Sequence, residues 1–319
     1  MADYKEVVGT KVKAVSANPS NPTDGEVWYN STDNVLKYKK ANVAGAWSSG
    51  GNLNQARTNI SGAGLKTAAI AFGGQVSSTV YDLTENYNGS SWTEVNDLNT
   101  GRYAHGANGT STSALSYGGT PPATAATESW NGTSWTEVND LNTARAYADG
   151  AGADNTSALA IGGDPADSGE TEVWNGSGWT EVNDLSTARA QMGAAGIATA
   201  ALAFGGYPVV GKTESWNGSS WTEVADLNTD RSDPAGSGTY TAALAFGGYN
   251  GTARVAVTET WNGTAWTEVG DLSAARNGLG GDGDTNTAAI AFGGEGPPQS
   301  AATEEWTDPV LSTKTADTD

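Results

Sequence analysis

Short apolar runs, parted by glycine and polar turns, recur along most of the chain with the alternation expected of β-strands. In one unit the run Thr156–Ile161 alternates and stops at a glycine pair, after small residues that follow Arg145. Thr171–Trp174, a four-residue turn and Trp179–Val182 complete the unit. No apolar stripe has helical spacing. The pattern therefore predicts four short strands in each unit.

Two fixed signals mark these units. The first is a Trp followed ten residues later by an Arg. It occurs at Trp92–Arg102, Trp135–Arg145, Trp179–Arg189, Trp221–Arg231 and Trp266–Arg276, with a degenerate copy at Trp47–Arg57. Between them lie the glycine pairs Gly73-Gly74, Gly118-Gly119, Gly162-Gly163, Gly205-Gly206, Gly247-Gly248 and Gly293-Gly294, spaced by 42 to 46 residues. Four strands in a repeat of that length are typical of one blade of a β-propeller.

The repeat resembles the kelch family of propellers. The first full unit matches best, with Gly73-Gly74 after the second strand, Tyr87 in the third, Trp92 opening the fourth and Arg102 opening the next blade. The other units carry Trp in place of Tyr87, and the turn between their third and fourth strands is shorter than the family's usual turn. The resemblance covers residues 42–306 and implies four-stranded blades around a central axis.

The last unit lacks its own fourth strand. Trp306 is not followed by a Trp-Thr-Glu-Val segment, but Trp47 near the other end of the chain offers one. We therefore expect an all-β, six-bladed kelch-like β-propeller over residues 42–306, closed by an N-terminal strand that completes the last blade. Residues 1–41 would form an arm and a β-hairpin, and residues 307–319 a C-terminal tail.

Within a blade, the turn after Trp130 should pair it with Trp135 and place Glu128 opposite Glu137. We expect Arg145 and its copies to bridge a carboxylate within or between blades bidentately, the alternative being an arginine that only bonds loop carbonyls. The Gly and Ala residues that follow each arginine are expected where the innermost strands crowd the axis.

The composition of the chain argues against several classes of partner and location. The chain has 319 residues, a net charge of −20 and no cysteine. So acidic a surface repels nucleic acid, and we expect no nucleic-acid partner. Met1–Glu6 leads to no apolar core and no run is long enough to cross a bilayer, so neither a secretory leader nor membrane insertion is expected.

The N-terminal segment has its own character. Gly25–Tyr29, a polar turn and Val35–Tyr38 predict a hairpin, preceded by an extended arm that could add to a partner's sheet or be a flexible leader. The segment Asn21–Thr32 resembles the N-terminal parts of tail-fibre and other virion structural proteins of marine tailed phages. That resemblance implies docking on other virion proteins. The residues expected to attach to the virion are Val7, Val8, Val12, Trp28, Tyr29 and Tyr38.

The candidate chemistry argues against an enzyme. Kelch-type copper oxidases need a Cys–Tyr crosslink and two histidines, whereas this chain has only His105, which is expected to be structural or solvent-facing. The paired glutamates recur too often for one active site. Asp282, Asp284 and Asn286 have the spacing of calcium ligands, yet a simple turn is the better interpretation. No catalytic residue, cofactor or metal is expected.

The loops after the glycine pairs differ from unit to unit, unlike the repeated framework. Their Tyr, Asp, Asn, Arg and Glu side chains suit sugar or protein recognition, the alternative being ordinary loop variation. The candidate ligand-binding residues are Tyr81, Asp164, Asp167, Tyr207, Tyr249, Asn250, Arg254 and Glu295.

The sequence as a whole indicates a non-enzymatic phage virion protein, tail-fibre or tail-associated, whose propeller binds a host surface glycan or protein. The alternatives are a capsid- or tail-decorating protein without receptor binding and, with less support, a carbohydrate-active enzyme.

Overall fold

The computed structural model describes residues 12–18, 27–38, 45–165 and 167–308, and the regular elements in these ranges are all strands. The expected all-β class is thereby confirmed. In the same ranges there is no helix long and apolar enough to cross a lipid bilayer. The chain divides into two compact units, one formed by Gly45–Asp308 and the other by the residues on either side of it.

The N-terminal unit contains a three-stranded sheet. Its strands are β1 (Lys13–Val15), β2 (Val27–Asn30) and β3 (Val35–Tyr38). β2 pairs antiparallel with β3, which confirms the predicted hairpin. β1 pairs parallel with the other edge of β2, so this part of the predicted arm joins a sheet of its own chain.

The larger unit contains six four-stranded antiparallel sheets, which we number in chain order. Sheet 1 comprises β5 (Ser61–Leu65), β6 (Ala68–Phe72), β9 (Thr84–Tyr87) and β10 (Trp92–Glu94), and the small hairpin β7 (Gln75–Val76) and β8 (Thr79–Val80) lies between its second and third strands. Sheet 2 comprises β11 (Gly106–Thr110), β12 (Ser113–Tyr117), β13 (Thr127–Trp130) and β14 (Trp135–Val138). Sheet 3 comprises β15 (Asp149–Asp154), β16 (Ser157–Gly163), β17 (Ser168–Trp174) and β18 (Trp179–Glu181).

Sheets 4 to 6 repeat this plan. Sheet 4 comprises β19 (Gly193–Ile197), β20 (Ala200–Phe204), β21 (Thr213–Trp216) and β22 (Trp221–Glu223). Sheet 5 comprises β23 (Ala235–Thr239), β24 (Ala242–Phe246), β25 (Thr258–Trp261) and β26 (Trp266–Glu268). Sheet 6 comprises β27 (Gly280–Thr285), β28 (Ala288–Phe292), β29 (Thr303–Thr307) and β4 (Ala46–Ser49), the last of which pairs antiparallel with β29 and sets Trp47 opposite Trp306.

The tryptophans join neighbouring sheets as well as neighbouring strands. Trp130 and Trp135 face each other as predicted, with ring centroids 5.4 Å apart. The indole Nε1 of Trp135 donates to Thr84 Oγ1 in sheet 1 at 3.1 Å. Equivalent bonds, from the first Trp of each fourth strand to a Thr of the preceding sheet, are Trp179–Thr127, Trp221–Thr171, Trp266–Thr213, Trp47–Thr258 and Trp92–Thr303. The contacts thus run from sheet to sheet in chain order and also join sheet 6 to sheet 1.

The repeated arginines form buried ion pairs. Each contacts a third-strand glutamate of the following sheet at 2.6–3.0 Å, in the pairs Arg57–Glu85, Arg102–Glu128, Arg145–Glu172, Arg189–Glu214, Arg231–Glu259 and Arg276–Glu304. The predicted carboxylate bridge is confirmed, but its bidentate geometry was wrong. Arg231 Nη1 donates to Val257 O at 3.0 Å, and the second oxygen of Glu259 accepts the Asn228 backbone N–H at 2.7 Å. The guanidinium therefore bonds loop carbonyls as well as one carboxylate oxygen.

Glycine and alanine in the first strands accommodate aromatic rings from the neighbouring sheet. A Cβ on Gly281 would lie 2.5 Å from Phe246 Cζ of sheet 5, and one on Gly236 would lie 2.8 Å from Phe204 Cζ of sheet 4. The small residues predicted near the axis are therefore required for contact between sheets, as well as for close approach of the backbones.

Candidate functional site

The first strands of the six sheets enclose a cavity of about 760 Å³. Residues from every first strand line it, and it reaches the strand turns at Ser111 and Tyr240. The first and second strands of each sheet are antiparallel. The other end of the cavity therefore lies at the start of the first strands, beside the glycine pairs at the end of the second strands.

That end carries six residues that we call the inner row, each two positions after a buried arginine: Asn59, Ala104, Tyr147, Gln191, Asp233 and Gly278. All have positive φ, between 49° and 59°. Backbone hydrogen bonds link neighbours in the row, for example from Gln191 N to Tyr147 O at 3.0 Å and from Asp233 N to Gln191 O at 2.6 Å. Five of these residues are not glycine, so the left-handed conformation costs free energy that the surrounding structure must offset. Such strain is concentrated at functional sites.

A second set of six residues, which we call the outer row, directly follows the glycine pairs: Gln75, Thr120, Asp164, Tyr207, Tyr249 and Glu295. Each forms a backbone bridge with the residue just before an inner-row position. Asp164 bonds Ala146 in both directions, at 2.7 and 2.9 Å, and Tyr207 bonds Ala190 at 2.7 and 3.3 Å. The backbones of both rows are therefore fixed, while their side chains do not repeat.

A smaller cavity of about 270 Å³ lies where the two rows meet between sheets 3 and 4. It is lined by Tyr147, Asp164, Asp167, Ala190, Gln191 and Tyr207. The structure thus brings together three of the predicted ligand-binding residues, Asp164, Asp167 and Tyr207. Tyr147 and Gln191 line both cavities, so the smaller cavity adjoins the inner-row end of the larger one.

A second group of predicted residues forms a polar network beside sheets 5 and 6. Arg254 contacts Glu295 at 2.5 Å, and its Nε donates to Asn277 Oδ1 at 3.0 Å. Asn277 Nδ2 in turn donates to Asp233 Oδ2 of the inner row at 2.8 Å. Arg254 and Glu295 therefore satisfy each other, and they connect the loops to the large cavity through Asp233.

Two further predicted ligand-binding residues take part in hydrogen bonds within the framework. Asn250 Oδ1 accepts the backbone N–H groups of Thr252 and Ala253 at 3.0 and 2.9 Å, so its side chain forms a turn. Tyr81 is half-buried and lines neither cavity, and its carbonyl accepts the Arg102 N–H at 3.2 Å. Tyr249 is 36% exposed in the outer row.

The large cavity is acidic, and burial shifts its carboxyl groups. Burial raises the pKa of Asp149 to about 7, that of Asp282 to about 7 and that of Asp233 to about 6. The Asp149 carboxyl also raises the pKa of Asp282. No Lys or Arg among the described residues lines either cavity. The site therefore favours ligands that donate hydrogen bonds, or that carry positive charge, over anions.

His105 is buried beside the large cavity. Its Nδ1 lies 3.0 Å from Ser116 Oγ, its ring lies 5.5 Å from Phe72, and burial lowers its pKa to about 3. Ser116 is completely buried. His105 is among the residues that line the large cavity, and these contacts agree with the expected structural histidine.

The spacing of Asp282, Asp284 and Asn286 does not bring their side chains together. Asp282 accepts the backbone N–H groups of Gly64 and Gly283 at 2.8 and 2.7 Å. Asn286 Nδ2 instead donates to Thr260 Oγ1 of sheet 5 at 3.0 Å. In the described ranges no group of three or more His, Cys, Asp or Glu side chains could hold a metal ion.

The predicted attachment residues of the N-terminal unit are only partly described. Val7 and Val8 lie outside the described residues, and Tyr38 ends β3. Val12 and Tyr29 are 46% and 36% exposed. Trp28 is 3% exposed and its Nε1 donates to Asn18 Oδ1 at 3.3 Å.

The inner row was not among the residues predicted from the sequence, although the repeats contain a signal for it. Two positions after the arginine, the units carry Asn, Ala, Tyr, Gln, Asp and Gly, which is the variability that marked the loops. This position directly precedes the small residues expected to crowd the axis, so it was included with them. Its left-handed backbone has no sequence signature, because five of the six residues are not glycine.

No protein-family model matches the chain, and a search of the curated proteins finds no matching sequence.

Proposed function

We propose that Gly45–Asp308 is a six-bladed β-propeller in which each four-stranded sheet is one blade. Three observations support this. The sheets share one strand plan, the indole–threonine bonds link each sheet to the preceding one, and Trp92 of sheet 1 donates to Thr303 of sheet 6 at 2.9 Å. In this architecture β4 closes the structure from the N-terminal side, and the cavity of about 760 Å³ lies on its axis.

The propeller is a non-enzymatic binding module, and its binding face consists of the inner and outer rows. The observation that carries this proposal is the contrast between the rows and the framework. The tryptophans, ion-paired arginines and glycine pairs repeat in every sheet, whereas the row side chains vary on an equally well-fixed backbone. Repetition maintains the fold, and variation at a concave, polar surface is what ligand recognition requires.

The setting that best fits this module is a phage virion, on a tail fibre or another tail component. The N-terminal unit would dock on other virion proteins, and the propeller would bind a host surface glycan or protein. This rests on the resemblance of Asn21–Thr32 to virion proteins and on the charge asymmetry of the chain. Six of the nine lysines lie in residues 1–40 of a chain with a net charge of −20. A less acidic arm suits an acidic docking surface.

The test is binding of the labelled full-length chain to candidate host bacteria, together with competition against adsorption of whole particles. Saturable binding that blocks adsorption is expected. The variant Tyr207→Ala should weaken binding, whereas Tyr240→Ala should not, because Tyr240 is comparably exposed but lies at the opposite end of the cavity. A folded chain that binds no host, while still incorporating into particles, would favour a decorating role on the capsid or tail.

A further inference from the structure

We propose that the cavity of about 270 Å³ between sheets 3 and 4 is a saccharide site that takes one neutral pyranose unit of a surface glycan. Tyr207 would be its stacking platform, and Asp164 and Asp167 would accept hydrogen bonds from its hydroxyl groups. This inference rests on the proposed binding function and names the ligand class of one part of the binding face.

The first support is an exposed aromatic ring on a fixed backbone. Tyr207 is 52% exposed, the highest value among the large hydrophobic residues exposed in the described ranges. Its backbone bonds Ala190 in both directions, so little backbone entropy is lost when a ligand covers the ring. The apolar C–H face of a pyranose suits such a platform, because the tyrosine offers an apolar ring with a polar tip.

The second support is the set of polar groups around the ring. Each of the carboxylates of Asp164 and Asp167 can accept several O–H donors, and the Gln191 amide both donates and accepts. Asp167 has a φ of 47°, and Asp is one of the few residues that tolerate this conformation. Vicinal hydroxyl groups provide closely spaced O–H donors of the kind this arrangement would bind.

The third support is charge. In the part of the chain that the structure describes no Lys or Arg lines either cavity, and the one arginine of the variable loops, Arg254, is already paired with Glu295. An acidic sugar would place its carboxylate or sulfate against aspartates without a compensating cation, which disfavours binding. The site should therefore discriminate against uronic, sialic and sulfated sugars.

Size limits the ligand to one sugar ring in this cavity. Its volume of about 270 Å³ is just below the roughly 300–1,000 Å³ of pockets that hold drug-sized ligands. Tyr147 and Gln191 also line the larger cavity, so a second sugar unit linked to the first can extend towards the axis.

The experiment uses the full-length chain against immobilised neutral hexosides, each paired with the uronate of the same ring, such as glucoside with glucuronide and galactoside with galacturonide. We expect binding to at least one neutral hexoside and at least about tenfold weaker binding to its uronate partner. Tyr207→Ala and Asp164→Asn should each weaken binding about tenfold. Tyr240→Ala is the matched control and should change it less than about twofold, with near-ultraviolet circular dichroism confirming that each variant is folded.

The outcomes separate this inference from the proposed function. A preference for uronates, or hexoside binding unaffected by Tyr207→Ala, would overturn the saccharide site. Saturable binding to host cells without binding to any hexoside would also overturn it, but would leave the binding function intact with a protein as the ligand. Loss of both cell and hexoside binding in the folded chain would overturn both.

Discussion

Arg231 and Glu259 show how a charged residue can be placed in the interior of an all-β unit. Both side chains are completely buried. The guanidinium bonds two carbonyls and one carboxylate oxygen, and the other oxygen accepts a loop N–H, so the charges are paired and most of their polar atoms are satisfied. Each pair thus joins the segment that precedes a first strand to the third strand of the same sheet, two residues before the inner row.

Removing one partner of this pair should be costly. Arg231→Met leaves the Glu259 carboxylate buried without a cation, and we expect the free energy of unfolding to fall by about 3–5 kcal/mol. Arg254→Met is the control, because the Arg254 and Glu295 side chains are 35% and 43% exposed and such pairs contribute about 0–1 kcal/mol. Urea unfolding of both variants measures the difference. Equal effects would mean that the buried pair does not stabilise the fold.

The cavity aspartates predict how stability depends on pH. The pKa of Asp149 and that of Asp282 are raised to about 7 in the folded chain, above the value of about 3.9 expected when unfolded. The folded state therefore binds more protons between these values. The stabilisation that these two groups contribute is fully present below about pH 4 and is lost as pH rises through about 7. Thermal unfolding temperatures at pH 5 and pH 8 should differ in that direction.

The net negative charge of the chain would also lower the unfolding temperature as pH rises. The control variant must therefore remove as many charges as the test variant. Asp149→Asn with Asp282→Asn should reduce the fall in unfolding temperature between pH 5 and pH 8. Glu137→Gln with Glu181→Gln also removes two carboxylates, but from exposed positions, and should reduce the fall in unfolding temperature less. If the two double variants behave alike, the trend arises from general repulsion rather than from the cavity groups.

Prediction from sequence succeeded at this scale where a residue repeats and failed where it does not. Trp130 facing Trp135 and Arg145 meeting a glutamate followed from counting positions in the repeat. Tyr147 and Gln191 could not be found in that way, because their importance depends on backbone bonds to residues of other sheets. Asn250 shows that a non-repeated polar side chain can also form a turn, which variability between the units does not reveal.

At the scale of the element, the fit between first strands and the neighbouring sheet controls the packing. Phe246 ends the second strand of sheet 5, and its ring lies where a side chain on Gly281 of sheet 6 would be. Gly150 of sheet 3 likewise faces Tyr117 of sheet 2. In sheet 3 the corresponding second-strand residue is the smaller Ile161, and Ala194 of sheet 4 belongs to the same cluster. In these pairs a glycine faces an aromatic ring and an alanine faces a smaller side chain, whereas in sheet 2 Ala107 packs against the cluster that contains Phe72.

Gly281→Ala tests the first of these contacts. The added Cβ would lie 2.5 Å from Phe246 Cζ and 3.1 Å from Ile290 O, and we expect a loss of about 1–3 kcal/mol in the free energy of unfolding. With Phe246→Leu in the same chain, the combined loss should be smaller than the sum of the single losses, because the leucine vacates that space. Gly178→Ala is the control, since no atom lies within 4 Å of its Cβ position. Additive losses would contradict the proposed contact.

The strands of the repeat were predictable from their alternation and turn residues, and the elements outside the repeat were not. β1 has three residues and pairs parallel with β2, so nothing in its own sequence distinguishes it from an extended arm. The hairpin of β7 and β8 has two residues in each strand and lies in a variable loop. Pairings this short depend on the neighbouring chain segments, which a local pattern does not include.

At the scale of the whole molecule, sheet 6 differs from the others because its fourth strand comes from a distant part of the chain. Trp47 of β4 lies 5.5 Å from Trp306 and donates to Thr258 Oγ1 of sheet 5 at 2.9 Å. Trp221 makes the same two contacts within a continuous sheet, at 5.3 Å from Trp216 and 3.0 Å from Thr171. Substitution of these two tryptophans therefore allows a fourth strand from the N-terminal side of the chain to be compared with a fourth strand that directly follows the third.

If β4 closes a propeller, Trp47→Ala must weaken the whole unit and not only its own strand. Trp221→Ala should lower the free energy of unfolding by about 3–5 kcal/mol, and Trp47→Ala by somewhat less, because Trp47 is the more exposed of the two. Unfolding of Trp47→Ala should remain a single transition, and hydrogen exchange should accelerate in β29 and β25 more than in β13. An unchanged unfolding temperature in Trp47→Ala, beside a lowered one in Trp221→Ala, would show that β4 does not contribute to the closed fold. Closure would then rest on contacts between sheets 6 and 1 such as the Trp92–Thr303 bond.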